Sequence, residues 1–225
     1  MPKKQPLLTA LNILAAAGVL GALILILFFT PEEAQMGAVQ KVFYFHVAAA
    51  WAGMLSFVIA AVAGALYLAK RELRWDWLSL ASIEVGLMFG LAAILSGMIW
   101  AQPIWNTWWV WEPRLTTTAI MELIYLAYFI LRGALNTPEA KARLGAVYAI
   151  VSVITVPLTF FSIRLYRTIH PVVFVSGGST AFTMSPRMWT AFIVSLAAFT
   201  VLLAALIWNR TRLAALQAAN AQEEN

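Results

Sequence analysis

The 225-residue chain contains no cysteine. That absence excludes a thiolate metal site, a structural disulfide and the Cys-x-x-Cys-His attachment motif of c-type cytochromes. Charge is scarce as well: 11% of residues are charged and 62% are hydrophobic, where a soluble domain is nearer a quarter charged and half apolar. With a mean hydropathy of +0.81, the composition is that of a polytopic membrane protein. The formal charge of +5 would suggest a nucleic-acid partner in a soluble chain. Here the basic residues sit in short segments between apolar runs, so membrane topology accounts for them and no nucleic acid is expected. Histidine is limited to two positions. Any metal or prosthetic-group ligand must be one of these, or Met, Tyr or a carboxylate.

Six apolar runs are each long enough to cross a bilayer as a helix, for which roughly 20 residues suffice. They lie at about residues 7–30, 42–69, 78–100, 115–131, 140–163 and 187–208. The expected fold is therefore an all-α integral membrane protein with six transmembrane helices. It forms one polytopic domain, 1–225, with no internal repeat. The first run exceeds the roughly 7–15 apolar residues of a signal peptide and reads as a retained span. Thr137-Pro138-Glu139 and Ser185-Pro186 are helix starts, with a hydroxyl N-cap and proline at the first helical position. Pro157 should kink the fifth span. The tail 209–225 is polar and expected to fray.

Six spans put both termini on one side. With the termini inside, inner segments carry Lys3, Lys4, Lys70, Arg71, Arg74, Arg132, Lys141, Arg143, Arg210 and Arg212, and outer ones Lys41, Arg114, Arg164, Arg167 and Arg187. Ten against five is the asymmetry expected when cytoplasmic loops hold the excess of positive charge. Both termini are thus read as cytoplasmic.

The outer side then holds the densest feature of the chain, the loop 101–116 with Trp105, Trp108, Trp109 and Trp111, followed by Glu112 and Arg114. If this stretch is helical, Trp105, Trp108 and Trp109 share one face. Two readings stand side by side: a membrane-interface aromatic belt, or a platform for a flat apolar ligand. His46, near the outer end of the second span, and His170, in the outer loop between the fifth and sixth, fall on the same side. Each alone reads first as a satisfied interfacial or core histidine. Together beside the tryptophans they suit axial ligation of haem iron. Ala49, Ala50 and Gly53 make a smooth face after His46, for close approach of a ligand or for helix packing. Arg164 and Arg167 are spaced to reach anionic groups, either haem propionates or lipid headgroups. Glu84 and Glu122 lie within spans, where a carboxylate is costly and points to function by default. Neither has an assignable partner.

The run Trp105–Thr116 resembles the tryptophan-rich WWD signature of the haem-handling membrane proteins of cytochrome c maturation. The six spans, the stretch Lys41–Trp51 around His46 and the outer His170 resemble the CcmC family of that group, over about residues 8–210. The resemblance implies a bacterial inner-membrane protein that cradles haem on its periplasmic face. Trp105, Trp108, Trp109 and Trp111 would form the cradle, with His46 and His170 as iron ligands. Arg114, Arg164 and Arg167 remain candidates for the propionates. It also implies noncovalent, transient binding of haem b and delivery to the chaperone CcmE, alongside the ATP-binding-cassette components CcmA and CcmB, the small protein CcmD and membrane lipid. No catalytic residue is implied. The sequence departs from the family pattern at Glu112, where Asp is usual, at Asn106, where Gly is common, and at Pro171 after His170. Rival readings are a cytochrome c haem lyase, a small-molecule transporter subunit and a ligand-free scaffold. Lyase relatives are larger and carry further histidines.

Overall fold

A computed structural model describes residues 5–166, 168–171 and 184–223. Among these residues the chain is almost wholly helical and has no strands. The helices are α1 (Pro6–Ile24), α2 (Lys41–Lys70), α3 (Leu73–Trp105), α4 (Pro113–Gly133), α5 (Pro138–Ser152), α6 (Thr155–Leu165) and α7 (Pro186–Glu223). A single π-helical turn, Leu25–Phe29, extends α1. Six helical segments are long and apolar enough to cross a membrane, with α5 and α6 together making one of them.

The helix ends follow local chemistry. Glu112 and Thr137 cap α4 and α5, their side chains accepting the Leu115 and Ala140 backbone N–H groups, and each is followed by proline at the first helical position. α2 stops at Arg71 (φ 59°), whose N–H reaches the Tyr67 carbonyl, and α3 stops at Asn106 (φ 54°). Both residues are left-handed, a conformation that Asn tolerates better than most side chains.

α2 and α3 form the central antiparallel pair, with α7 packing against both and α1 against α7. Their close approach depends on small residues. A Cβ on Gly53 would lie 3.3 Å from the Gly86 carbonyl oxygen and the Gly90 nitrogen. Ser56 and Ser79 donate across the same interface to the Ser82 and Ala60 carbonyls. Small residues and interhelical hydrogen bonds hold helices together where lipid supplies no hydrophobic contrast. At one end, Arg132 grips Asp76 with two hydrogen bonds of 2.6 and 3.0 Å and also reaches Tyr128 and the Lys141 carbonyl, tying α3, α4 and α5 together.

The expected kink of the fifth span is present, and two other expectations change. The kink of the fifth span falls one turn before Pro157, at Val153–Ile154. Proline lacks the N–H that would bond the carbonyl four residues back, and the Val153 carbonyl accepts from Val156 instead. The tail does not fray after residue 209: α7 runs on to Glu223, through residues such as Ala, Leu and Gln that favour helix. Glu84 does have a partner, because Arg210 on α7 lies 2.5 Å from it.

The break before α6 shapes the site. α5 lies tightly on α2, where a Cβ on Gly64 would come within 3.0 Å of the Ala146 carbonyl oxygen. Beyond the break α6 leaves α2 and packs on α4.

Candidate functional site

The space left by that divergence is a cavity of about 340 Å³, walled by α2, α3, α4 and α6 with contributions from α7 and the 168–171 segment. Its volume lies within the range of small-molecule and cofactor sites. The lining is mainly apolar and aromatic, interrupted by His46, His170, Arg114, Arg164, Thr118 and Glu122.

His46 projects from the second turn of α2. Its Nδ1 lies 2.8 Å from the Ala93 carbonyl oxygen, with the Ser96 hydroxyl at 3.4 Å. A ring nitrogen so close to a carbonyl carries the proton, so Nε2 is left with its lone pair. The imidazole sits directly on Gly97, where a Cβ would come within 2.9 Å of Cε1. Ala49 is buried in the helix interface, whereas Ala50 and Gly53 line the cavity. Gly53 is also where α3 approaches α2 closely, so it belongs to the helix interface as well.

His170 enters the cavity from the loop after α6. Its ring centre is 6.3 Å from that of His46 and 6.2 Å from that of Trp105, which meets it edge-on. Burial, helped by the nearby His46 and the Arg114 charge, pushes its pKa down to about 3, so the ring is neutral at physiological pH. The His170 backbone N–H donates to the Thr168 hydroxyl at 3.0 Å, and that hydroxyl donates in turn to Glu112 Oε2. Glu112 Oε1 caps α4 and lies 3.8 Å from His170 Nδ1.

The two charged groups at the cavity rim differ in how they are held. Arg114 donates to the Phe160 carbonyl at 3.2 Å, yet its Nε is buried with no partner. Arg164 is exposed and lies over the Phe160 ring. Arg167 lies outside the described residues. The Trp-rich run is not a continued helix. α3 ends at Trp105, so Trp105, Trp108 and Trp109 do not share a helical face. Trp105 and Trp109 line the cavity, while Trp108 and Trp111 are 56% and 77% exposed.

Sequence reasoning missed Trp100, which lines the cavity and meets Trp105 edge-on at 5.2 Å. It also missed Gly97 and Thr168. The indole N–H groups of Trp100 and Trp109 are buried without partners, as are Arg114 Nε and His170 Nδ1 among the residues that line the cavity. Glu122 lies at the cavity wall, 8% exposed, with Oε1 unpartnered. Its carboxyl occupies the space that a side chain on Gly90 would fill. Among the described residues no cluster of three or more His or acidic side chains could hold a bare metal ion.

Fold and site together define a multi-pass helical membrane protein with an aromatic, imidazole-bearing cavity under one of its interhelical loops. The chain belongs to the CcmC family, described as heme exporter protein C, whose family model matches residues 2–225. It is 34% identical over 190 residues to heme exporter protein C of Rhodobacter capsulatus, covering 82% of this chain and 76% of that one. The corresponding protein of Paracoccus denitrificans is 31% identical over 190 residues, covering 82% and 77%. A putative cytochrome c biosynthesis ccmC-like mitochondrial protein of Marchantia polymorpha is 29% identical over 164 residues, covering 73% and 69%.

Proposed function

We propose that this protein binds haem b noncovalently in the cavity beneath the Trp-rich loop, at the periplasmic face of the bacterial inner membrane, and delivers it to the chaperone CcmE. CcmA, CcmB and CcmD are its proposed partners. Membership of the heme exporter protein C family supports the coarse role, haem delivery for cytochrome c maturation, and its name speaks for transport. The observation that carries the site assignment is the pairing of His46 and His170, with ring centres 6.3 Å apart. A metal–imidazole bond is about 2 Å and the ring centre lies about 1 Å beyond the nitrogen, so two imidazoles sharing one iron place their centres about 6 Å apart.

Each group has a part in holding the cargo. His46 offers Nε2, because Nδ1 is engaged by Ala93. His170 is neutral and needs no proton removed to act as a ligand. Arg114 has an unused donor for a propionate, and a guanidinium suits a carboxylate as a fork. Trp105 and Trp109 supply flat apolar walls. Without cysteine no thioether can form, and ligation by two histidines is firm yet reversible. The ten-to-five excess of basic residues on the opposite side supports the outward orientation of this cavity.

The test is the absorption spectrum of purified protein supplied with haem, beside His46→Ala and His170→Ala. A Soret band that is weakened or shifted in both variants is the expected result. Wild-type protein that takes up no haem overturns the reading.

A further inference from the structure

Glu112 is the one charged residue of the Trp-rich loop with two separate duties. One oxygen, Oε1, closes the first turn of α4 by accepting the Leu115 N–H at 2.9 Å. The other, Oε2, leaves the helix altogether and accepts the hydroxyl proton of Thr168, 56 residues away in sequence. Thr168 Oγ1 is simultaneously the acceptor for the His170 backbone N–H, at 3.0 Å. A continuous chain of bonds therefore runs from the start of α4 to the backbone of His170. Alongside it, the imidazole turns Nδ1 toward Glu112 Oε1 at 3.8 Å. That separation is too long for a hydrogen bond, but a carboxylate on that edge favours the tautomer with its proton on Nδ1 and its lone pair on Nε2.

Each element of this arrangement is sheltered. The Glu112 side chain is 9% exposed and that of His170 is 21% exposed. No backbone hydrogen bond of a helix holds the 168–171 segment, which follows the end of α6. Its attachment to the rest of the fold therefore depends on side-chain bonds of this kind. The length of the side chain matters. Glutamate has one methylene more than aspartate, which lets one oxygen stay on the α4 cap while the other reaches Thr168.

We infer that Glu112, acting through Thr168, is the positioning residue that holds His170 in the cavity opposite His46. The inference rests on the proposed role of His170 as an iron ligand. Glu112 itself touches no cargo. It fixes where the backbone of residue 170 lies, and its carboxylate faces Nδ1 at 3.8 Å. Outer partners of a ligating histidine commonly alter metal affinity by roughly 10- to 100-fold when removed.

The experiment uses the full-length protein in detergent, loaded with ferric protoporphyrin IX. Wild type is compared with Glu112→Ala, Thr168→Val and His170→Ala, each with and without added imidazole. Thr168→Val keeps the α4 cap and removes only the bridge, so it remains informative if Glu112→Ala folds poorly. The expected result is that Thr168→Val and Glu112→Ala both move the spectrum toward that of His170→Ala. Haem dissociation should be roughly tenfold faster in each, and free imidazole should restore the wild-type band. A merely structural cap would leave the ligation spectrum of the folded protein untouched. Bridge variants that keep the wild-type spectrum while His170→Ala shifts it overturn the positioning role alone. A His170→Ala spectrum identical to wild type removes the ligand assignment, and the positioning role falls with it.

Discussion

Gly97 of α3 and His46 of α2 are in direct contact, so closely that a Cβ on residue 97 would lie 2.9 Å from the imidazole Cε1 and 3.2 Å from Nδ1. Glycine here is a steric requirement of the site, not a conformational one. Gly97→Ala should push the ring off the Ala93 carbonyl and misalign Nε2. Overpacking of this kind costs about 1–3 kcal/mol. Haem affinity should fall roughly tenfold or more, as read by spectrophotometric titration, with the protein still folded. Affinity equal to wild type would mean that the ring has room to give.

The neutral state of His170 makes a pH prediction. Its pKa is pushed down to about 3 by burial, with His46 and Arg114 adding to the effect, whereas in the unfolded chain it titrates near 6.5. Above that value neither state binds the proton and the group contributes nothing to pH dependence. Below it the unfolded state takes up a proton that the folded state refuses, so stability falls as pH falls from about 6.5 toward 3. Each pH unit in that window costs at most about 1.4 kcal/mol. Thermal unfolding in detergent at pH 7.5 and pH 5 should show a steeper loss for wild type than for His170→Asn. Equal losses would count against a buried neutral imidazole.

At the end of the bundle away from the cavity, Asp76 and Arg132 are 6% and 13% exposed and bonded through both carboxylate oxygens. Removing one partner leaves the other charge buried, which costs about 3–5 kcal/mol. Arg132→Met should therefore lower the unfolding temperature sharply. The Asp76→Asn, Arg132→Met double variant should recover part of the loss. Haem binding by the folded fraction should be unaffected by either. An additive double variant would show that the pair is not coupled.

The helices were legible in the sequence because lipid demands long apolar runs, and because Thr137-Pro138 and Ser185-Pro186 mark starts that the structure uses. The Glu112-Pro113 start of α4 is not among those read from the sequence. The histidines and tryptophans stood out by scarcity and density. What the sequence concealed depends on neighbours distant along the chain. Gly97 is one glycine among 12 until α2 brings His46 against it. Glu84 found Arg210 across 126 residues, and Thr168 matters only because α4 begins beside it. The Trp-rich run misled in one respect. Its spacing suits a helix, but Asn106 turns left-handed and ends α3 at Trp105, so the helical face expected for Trp105, Trp108 and Trp109 does not form.

The placing of the four indoles gives the sharpest prediction about the loop. Trp105 and Trp109 face the cavity, while Trp108 and Trp111 are 56% and 77% exposed. Trp105 also braces His170 edge-on at 6.2 Å. Aromatic walls of this type contribute about 0.5–1.5 kcal/mol beyond their buried area. Trp105→Ala and Trp109→Ala should each lower haem retention by the isolated protein severalfold, and Trp105→Ala should also broaden the ligation band through His170. Trp108→Ala should retain haem as wild type does and Trp111→Ala nearly so, because neither ring lines the cavity. Trp111 reaches it only through edge-on contact with Trp109 at 5.5 Å. Haem content after gel filtration separates the two groups. A uniform loss across all four would mean that the loop closes over its cargo, drawing the outer pair of indoles inward. A loss confined to Trp108 and Trp111 would place the cargo on the outer surface of the loop and not in the cavity.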